Sequence, residues 1–345
     1  MSIHEIFMER CFQLANRAGL QTEPNPKVGS ILVYDDKIIG EGYHKKFGQA
    51  HAEVECINSV SAKDRPLISQ STLYVSLEPC CHFGKTPPCT ELILHYRIPK
   101  VVISTPDPNP LVGGQGIAQL KTRGVDVKVG ILQNKGFQLI RRFTTNHQKN
   151  RPYITIKMAI SSDGYMGIEG KKVWLSNPYS SMWSHKLRSE NQAILVGSET
   201  VLCDDPELTC RLFPGKNPIR LILDRRNRIP EESNIFNDQS PTLHFSAMKR
   251  KFHSKDHQSI QTPEHEDSLP FVLNTCISKG IYSIIVEGGP KIIQSFLHSN
   301  LWDQLCLVKT PVSLVNGLHA PIVKGQLEKI VHLGSDSIYT ILPKE

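Results

Sequence analysis

Apolar residues in the first half of the chain recur at two alternating periods. From residue 3 to residue 18 they fall at Ile3, Ile6, Phe7, Cys11, Leu14 and Ala15, the spacing of a helix with one buried face. Residues 28–33 and 37–43 then read as two strands around the turn Asp35-Asp36. Helical spacing returns at 52–60, 90–95 and 116–123, and the runs 71–76, 100–104 and 125–129 between them read as strands. The second half repeats the alternation, with strands at 153–159, 193–196, 220–223 and 283–286 and helices at 180–190 and 291–299. Strands alternating with helices predict an α/β layered fold in both halves. Residues 141–152 are polar and basic and end at Pro152, which predicts a linker and two domains, 1–146 and 151–345. Residues 248–269 are charged and poorly periodic, which predicts a surface excursion.

The length of 345 residues agrees with that division, at roughly 150 residues per domain. Hydrophobic residues make up 39%, enough for two cores. No run approaches the about 18 uninterrupted apolar residues of a membrane helix. The opening Met1-Ser2-Ile3-His4-Glu5 lacks the basic and then apolar pattern of a secretory signal. Nine cysteines, an odd number unevenly spread, argue against a disulfide framework. A cytoplasmic protein with no membrane partner is expected. The formal net charge of +7 suits an anionic ligand. The Lys and Arg residues are dispersed, Lys249-Arg250-Lys251 being the densest patch, so nucleic acid is not expected as a partner and a small phosphorylated molecule accounts for the charge equally well.

The strongest chemical signal lies between His51 and Cys89. His51-Ala52-Glu53 is followed by Glu78-Pro79-Cys80-Cys81-His82-Phe83-Gly84-Lys85-Thr86-Pro87-Pro88-Cys89. Zinc deaminases use three His and Cys ligands and leave the fourth position to a water, whose pKa the metal lowers to about 7. A nearby glutamate that is not a ligand carries the proton to the leaving ammonia. His51 and Glu53 have the required His-x-Glu spacing. The second half of the motif departs from Pro-Cys-x-x-Cys: Phe83 stands where the second cysteine belongs, and the next one beyond Cys80-Cys81 is Cys89. On chemistry alone Cys81 and His82 remain rival ligands, and a pair of buried structural cysteines beside a chance His-x-Glu is the bland alternative. In the second half no G-x-G-x-x-G follows a strand. Glu287-Gly288-Gly289 between a strand and a helix suits phosphate or a plain tight turn equally. The polar segment 197–211 suits a ligand or a capped turn.

The string from Glu78-Pro79-Cys80 to Cys89, with Pro24-Asn25-Pro26-Lys27-Val28-Gly29 upstream, resembles the bifunctional riboflavin-biosynthesis deaminase/reductase family. Residues 157–164, Trp174, the segment 197–211 and Glu287-Gly288-Gly289 are similar to the reductase half of the same family. The resemblance implies a cytidine-deaminase-like three-layer α/β/α domain followed by a dihydrofolate-reductase-like α/β domain. It implies Zn2+ held by His51, Cys80 and Cys89, Glu53 as the proton carrier, and Asn25 against the pyrimidine. For the reductase it implies NADPH along Ile160, Trp174, Thr200, Asp204 and the run Gly289, Pro290, Lys291, Ile292, Ile293, Gln294 and Ser295. Substrate would meet Lys172, Arg188, Leu208, Arg211 and Glu287, with Arg188 and Arg211 as the phosphate partners. The implied reactions are hydrolytic deamination of 2,5-diamino-6-(5-phosphoribosylamino)pyrimidin-4-one and NADPH-dependent reduction of the ribosyl side chain, in a homo-oligomer. A zinc deaminase acting on a nucleoside or tRNA with an appended domain, and a zinc-stapled binding module without activity, are the rival readings.

Overall fold

The computed structural model describes residues 1–83, 87–109, 113–263 and 268–344. Gly84, Lys85 and Thr86 of the cysteine segment lie outside the described residues. Contacts divide the chain into two units, Met1–Asn150 and Arg151–Glu345.

In the first unit α1 (Ile3–Ala15) opens on a capping box, the Ser2 hydroxyl accepting the Glu5 N–H and the Glu5 carboxylate accepting the Ser2 N–H. β1 (Gly29–Tyr34) and β2 (Lys37–Tyr43) form the expected antiparallel hairpin. Asp35 and Asp36 both sit at positive φ, 49° and 57°, as a two-residue turn of that hand requires. There follow α2 (Ala52–Asn58), β3 (Thr72–Leu77), α3 (Cys89–His95), β4 (Lys100–Thr105), α4 (Gln115–Thr122), β5 (Asp126–Val129) and α5 (Gln133–Lys149). The sheet order is β2-β1-β3-β4-β5, with β3, β4 and β5 parallel. Leu32, Leu73, Val75 and Ile103 pack on one face with Ile57, Ile93 and Leu120 from α2, α3 and α4. Ile31, Val33, Tyr74 and Val102 pack on the other with α1 and Leu139 of α5. Alternate strand residues thus feed opposite layers, giving the three-layer α/β/α sandwich. Most of the expected linker at 141–152 is the second half of α5. Its buried positions are Gly136, Ile140, Thr145 and Asn146, so helical spacing is present, but only Ile140 is strongly apolar and the pattern is hidden.

The second unit runs β6 (Tyr153–Ile160), β7 (Tyr165–Gly167), α6 (Pro178–Ser189), β8 (Ala193–Gly197), α7 (Ser198–Asp204), β9 (Ile219–Leu223), β10 (Thr242–Ser246), β11 (His257–Gln261), α8 (Ser268–Ser278), β12 (Ser283–Val286), α9 (Pro290–His298), β13 (Gln304–Lys309), β14 (Leu318–His319), β15 (Gly325–Leu333) and β16 (Asp336–Pro343). Nine strands form one sheet in the order β11-β10-β9-β8-β12-β6-β13-β16-β15. Seven are parallel and the last two close one edge as an antiparallel hairpin. One face packs under α8 and α9 through Leu195, Leu221, Phe245 and Phe296, the other under α6 and α7 through Leu187, Ile194, Val196 and Val201. The segment 248–269 contains β11, an edge strand of sequence His-Gln-Ser-Ile-Gln, so its partial burial needs few apolar side chains and leaves no periodic trace. No described helix is long and apolar enough to cross a membrane.

The first strand of this unit is pinned by a buried ion pair. Arg151 donates to both carboxylate oxygens of Asp303 at 2.6 and 2.8 Å, and Asp303 also accepts the Ile154 N–H at 2.9 Å. Removing one partner of a buried pair strands the other charge. Asp303→Ala is therefore expected to destabilise this unit by about 3–5 kcal/mol. Trp174, Trp183 and Trp302, the chain's three tryptophans, all lie in it, so denaturant unfolding followed by tryptophan fluorescence reads the effect.

Candidate active sites

Two helix N-termini meet in the first unit. His51 is the N-cap of α2, and its ring is not used to cap the helix. Cys89 is the first residue of α3, and its N–H donates to Cys80 Sγ at 3.4 Å, while the Thr90 N–H donates to the Cys80 carbonyl at 3.1 Å. His51 Nδ1 lies 3.5 Å from Cys80 Sγ and 3.4 Å from Cys89 Sγ. A tetrahedral centre with Zn–N of about 2.05 Å and Zn–S of about 2.3 Å separates N from S by roughly 3.5 Å. The three side chains therefore fit zinc with Nδ1 as the imidazole ligand, and they are the metal-capable cluster among the described residues. Cys81 and His82 stand outside it. The Cys89 side chain, with further help from His51 and the Cys89 N–H, pulls the Cys80 thiol down to about 4 against its burial, so a ligand-ready thiolate is favoured where the helix end points.

Glu53, two residues after His51, is buried. Burial first, and then the neighbouring Cys80, pushes its carboxyl up to about 7, and it reaches the Cys89 thiol. Beside the cluster, the His44 ring meets the His51 ring edge-on at 5.5 Å. His44 Nδ1 lies 3.0 Å from the Ala50 carbonyl, which can only accept, so Nδ1 carries the proton. Nε2 then accepts from the Asn25 amide nitrogen at 3.2 Å. That bond sets the Asn25 amide, leaving its oxygen as an acceptor for a ligand.

The second unit holds a cleft of about 1120 Å3 at the carboxyl ends of its parallel strands. Arg188 of α6 donates to both oxygens of Glu287 at 2.9 and 2.8 Å and to the Thr209 carbonyl at 3.1 Å. Arg188, and then Lys157, hold the Glu287 carboxyl down at about 2 against its burial. At the start of α9 the Gly289 N–H donates to Thr200 Oγ1 at 3.2 Å. Gly288 has φ 139°, and a Cβ there would lie 2.9 Å from the same oxygen, so the turn requires glycine. Lys172 Nζ donates to the Asp204 carbonyl at 2.6 Å, capping α7, and lies 5.8 Å from the centre of the Trp174 ring, which is 70% exposed at the mouth.

Residues 1–105 match the cytidine and deoxycytidylate deaminase zinc-binding region, and residues 152–344 match the RibD C-terminal domain. The riboflavin biosynthesis protein RibD of Bacillus amyloliquefaciens is 37% identical over 99% of this chain and 97% of its own length. The chain belongs to the RibD family. The RibD of Escherichia coli strain K12 is 34% identical, with 94% of this chain and 92% of the relative covered. The crystal structure of a diaminohydroxyphosphoribosylaminopyrimidine deaminase/5-amino-6-(5-phosphoribosylamino)uracil reductase from Thermotoga maritima superposes with TM-score 0.90 at 32% identity, over 99% of each chain. Acinetobacter baumannii RibD gives TM-score 0.87 at 29% identity over the same share.

Against the positions that the RibD resemblance implied, the structure brings His51, Cys80, Cys89 and Glu53 together and places Asn25 one hydrogen bond from His44. Trp174, Thr200, Asp204, Lys172, Leu208, Arg211, Arg188 and Glu287 line the cleft with Gly289, Pro290, Lys291, Ile292 and Ser295. Ile293 and Gln294 do not. A helix turns by about 100° per residue, so 292 and 295 share a face that 293 and 294 leave. Ile293 is fully buried in the core and Gln294 pairs with His298 at the surface. Ile160 also turns from the cleft and packs against the core beneath α8 and α9. Arg188 is committed to Glu287, whereas the Arg211 side chain is half exposed beside Glu207 at 3.6 Å. Lys157, His185 and His44 were missed. Lys157 is a charge within the apolar strand run Tyr153–Ile160, a signal visible in the sequence; in the structure it lines the cleft, burial lowering its pKa and Glu287 opposing that. His185 lines the same wall one turn before Arg188, pulled down to about 4 by burial and then by Arg188 and Arg211. Nothing in the sequence marks His44 or His185.

Losing a sulfur ligand should empty the metal site. Cys89→Ala is expected to lower the zinc content of purified protein by more than about tenfold, while Cys81→Ser leaves it unchanged. Elemental analysis of the two variants beside the parent checks both.

Proposed function

We propose that the first unit releases ammonia from 2,5-diamino-6-(5-phosphoribosylamino)pyrimidin-4-one and that the second reduces the ribosyl side chain of the resulting 5-amino-6-(5-phosphoribosylamino)uracil with NADPH. The observation that carries the reading is the His51, Cys80 and Cys89 cluster with a buried glutamate beside it that is not one of the three. When bound, zinc supplies Lewis acidity that makes a water nucleophilic at neutral pH. Glu53 takes the proton from that water and gives it to the departing amine. Asn25, its amide set by His44, presents an acceptor to the amino-pyrimidine edge. The aminouracil differs from its precursor by one oxygen in place of one amine, so both units recognise the same phosphoribosyl end.

When bound in the cleft, NADPH would supply the hydride that reduces C1′ of the opened ribose. Trp174, Thr200, Asp204 and the first turn of α9 line the cleft and would hold the nucleotide. Arg211 neutralises the substrate phosphate, and the Arg188–Glu287 pair with Lys157 fixes the polar end of the cleft. Nine free thiols fit a reducing cytoplasm, which belongs to the same proposal. A homo-oligomer does too, resting on the family resemblance, and sedimentation of the purified chain reads it.

Glu53→Gln keeps the shape and removes the proton carrier. It is expected to lower ammonia release by about 10²–10⁴-fold, with zinc content and NADPH oxidation on the aminouracil substrate unchanged. Parallel assays of the three quantities on one preparation check this. A variant that deaminates at the parental rate refutes the role of Glu53. A parent that binds zinc but releases no ammonia refutes the reading of the unit.

A further inference from the structure

Arg220 of β9 is fully buried, and its guanidinium hydrogen-bonds only to neutral oxygens among the described residues. Nε donates to the Glu207 carbonyl at 2.9 Å. One terminal nitrogen donates to the carbonyls of Ile235 and Asn237 at 3.0 and 2.9 Å, with that of Ser240 at 3.4 Å. The other donates to Asn237 Oδ1 at 2.7 Å. Among the described residues no carboxylate lies within ion-pair distance of it. Burial pulls the guanidinium down to about 10, with the more distant Glu207 charge opposing it. A buried charge among neutral partners is a poor device for stability, because apolar residues of similar volume often serve a core as well or better. Its hydrogen bonds instead tie two loops together from inside the sheet.

Both loops reach the cleft. The Glu207 carbonyl belongs to the peptide that precedes Leu208, a non-glycine residue held at φ 54°. Leu208 is buried to 3% exposure and lines the cleft. Next along the chain, the Thr209 carbonyl accepts from Arg188, and Arg211 follows on the cleft wall. On the other side, Asn234 lines the cleft and binds Asp205 through its N–H at 2.8 Å and its side-chain amide at 2.7 Å. A left-handed residue is stable only where its surroundings hold its flanking peptides, and one of those peptides is held by Arg220.

We infer that Arg220 is a positioning residue of the second unit: its bond to the Glu207 carbonyl sets the Leu208 turn and so places Leu208 and Arg211 against the pyrimidine phosphate substrate. This rests on the proposed reductase reading of the cleft. Lysine has one ammonium and cannot reach both loops as a planar fork does.

The test compares Arg220→Lys and Asn237→Ala with the parent in the full chain. Arg220→Lys is expected to raise KM for 5-amino-6-(5-phosphoribosylamino)uracil by roughly tenfold or more, with NADPH affinity within about threefold and ammonia release by the first unit unchanged. Amide hydrogen exchange should quicken at residues 207–212 while β8 and β12 keep their protection. Asn237→Ala removes a partner of the same guanidinium but leaves the Glu207 bond; it should lower Tm and leave that KM within about twofold. A folded Arg220→Lys with parental KM, or with exchange quickened throughout the sheet and not selectively at 207–212, overturns the inference. If Arg220→Lys does not fold, an Asn237→Ala protein whose KM rises tenfold overturns it, and one whose KM holds supports it. A parent that does not oxidise NADPH with this substrate refutes the reading of the cleft instead, and the exchange at 207–212 still reports on Arg220.

Discussion

Every helix begins with backbone N–H groups that no helical carbonyl can satisfy, and both sites are built where such ends meet the carboxyl ends of parallel strands. In the first unit sulfur meets the demand at the start of α3. The Cys89 N–H points at Cys80 Sγ, and His51 caps α2 through its backbone, so its ring is left over for a metal. In the second unit the start of α9 is met by Thr200 and leaves its remaining N–H groups and its partial positive charge to the cleft. The same constraint thus yields an electron-rich cluster in one place and an anion-attracting turn in the other. The difference lies in which side chains arrive.

What arrives in the cleft is unusual in charge. Arg188, Glu287 and Lys157 share a space with little solvent, and a lone member would be costly there. The two-pronged Arg188–Glu287 contact makes each charge tolerable and fixes the side chains rotationally. It also changes their availability. An arginine that spends two nitrogens on a carboxylate and another on the Thr209 carbonyl is a wall of the site more than a free hand for phosphate. Lys157, whose charge is disfavoured by burial and supported by Glu287, completes the trio. On the same wall His185 is pulled down to about 4 by burial first and then by Arg188 and Arg211.

The sequence shows the α/β alternation clearly because strand and helix periods differ, and the hairpin at Asp35-Asp36 and the helices α1, α2 and α6 lie where the pattern places them. It fails where burial is partial. In α5 the inward positions are Gly136, Thr145 and Asn146 beside Ile140, small or polar residues that fill a shallow contact and carry no hydrophobic signal. β11 and the hairpin β15–β16 stand at sheet edges, where one face is wet and polar residues suffice. For the sites the limit is different. Residue types and spacing point to His51, Glu53, Cys80 and Cys89, but the choice among Cys80, Cys81 and His82 depends on which atoms converge, which only coordinates give. The run 289–295 carried from the family resemblance ignores helical rotation, and Ile293 and Gln294 drop out on geometry alone. His44 and Arg220 act through other groups, and a group of that kind has no motif.

The long spacing between the two cysteines follows from the same geometry. In a Cys-x-x-Cys ligand pair the intervening residues themselves bend the chain so that both sulfurs face one point. Here two hydrogen bonds from backbone N–H groups close the base of the segment, from the Cys89 N–H to Cys80 Sγ and from the Thr90 N–H to the Cys80 carbonyl. The cost of closing the longer loop between the two cysteines grows only with the logarithm of its length, and with Cys80 and Cys89 both in the cluster the departure at Phe83 removes no ligand. His51, arriving on a different helix, completes the cluster with Cys80 beyond the end of β3 and Cys89 at the start of α3.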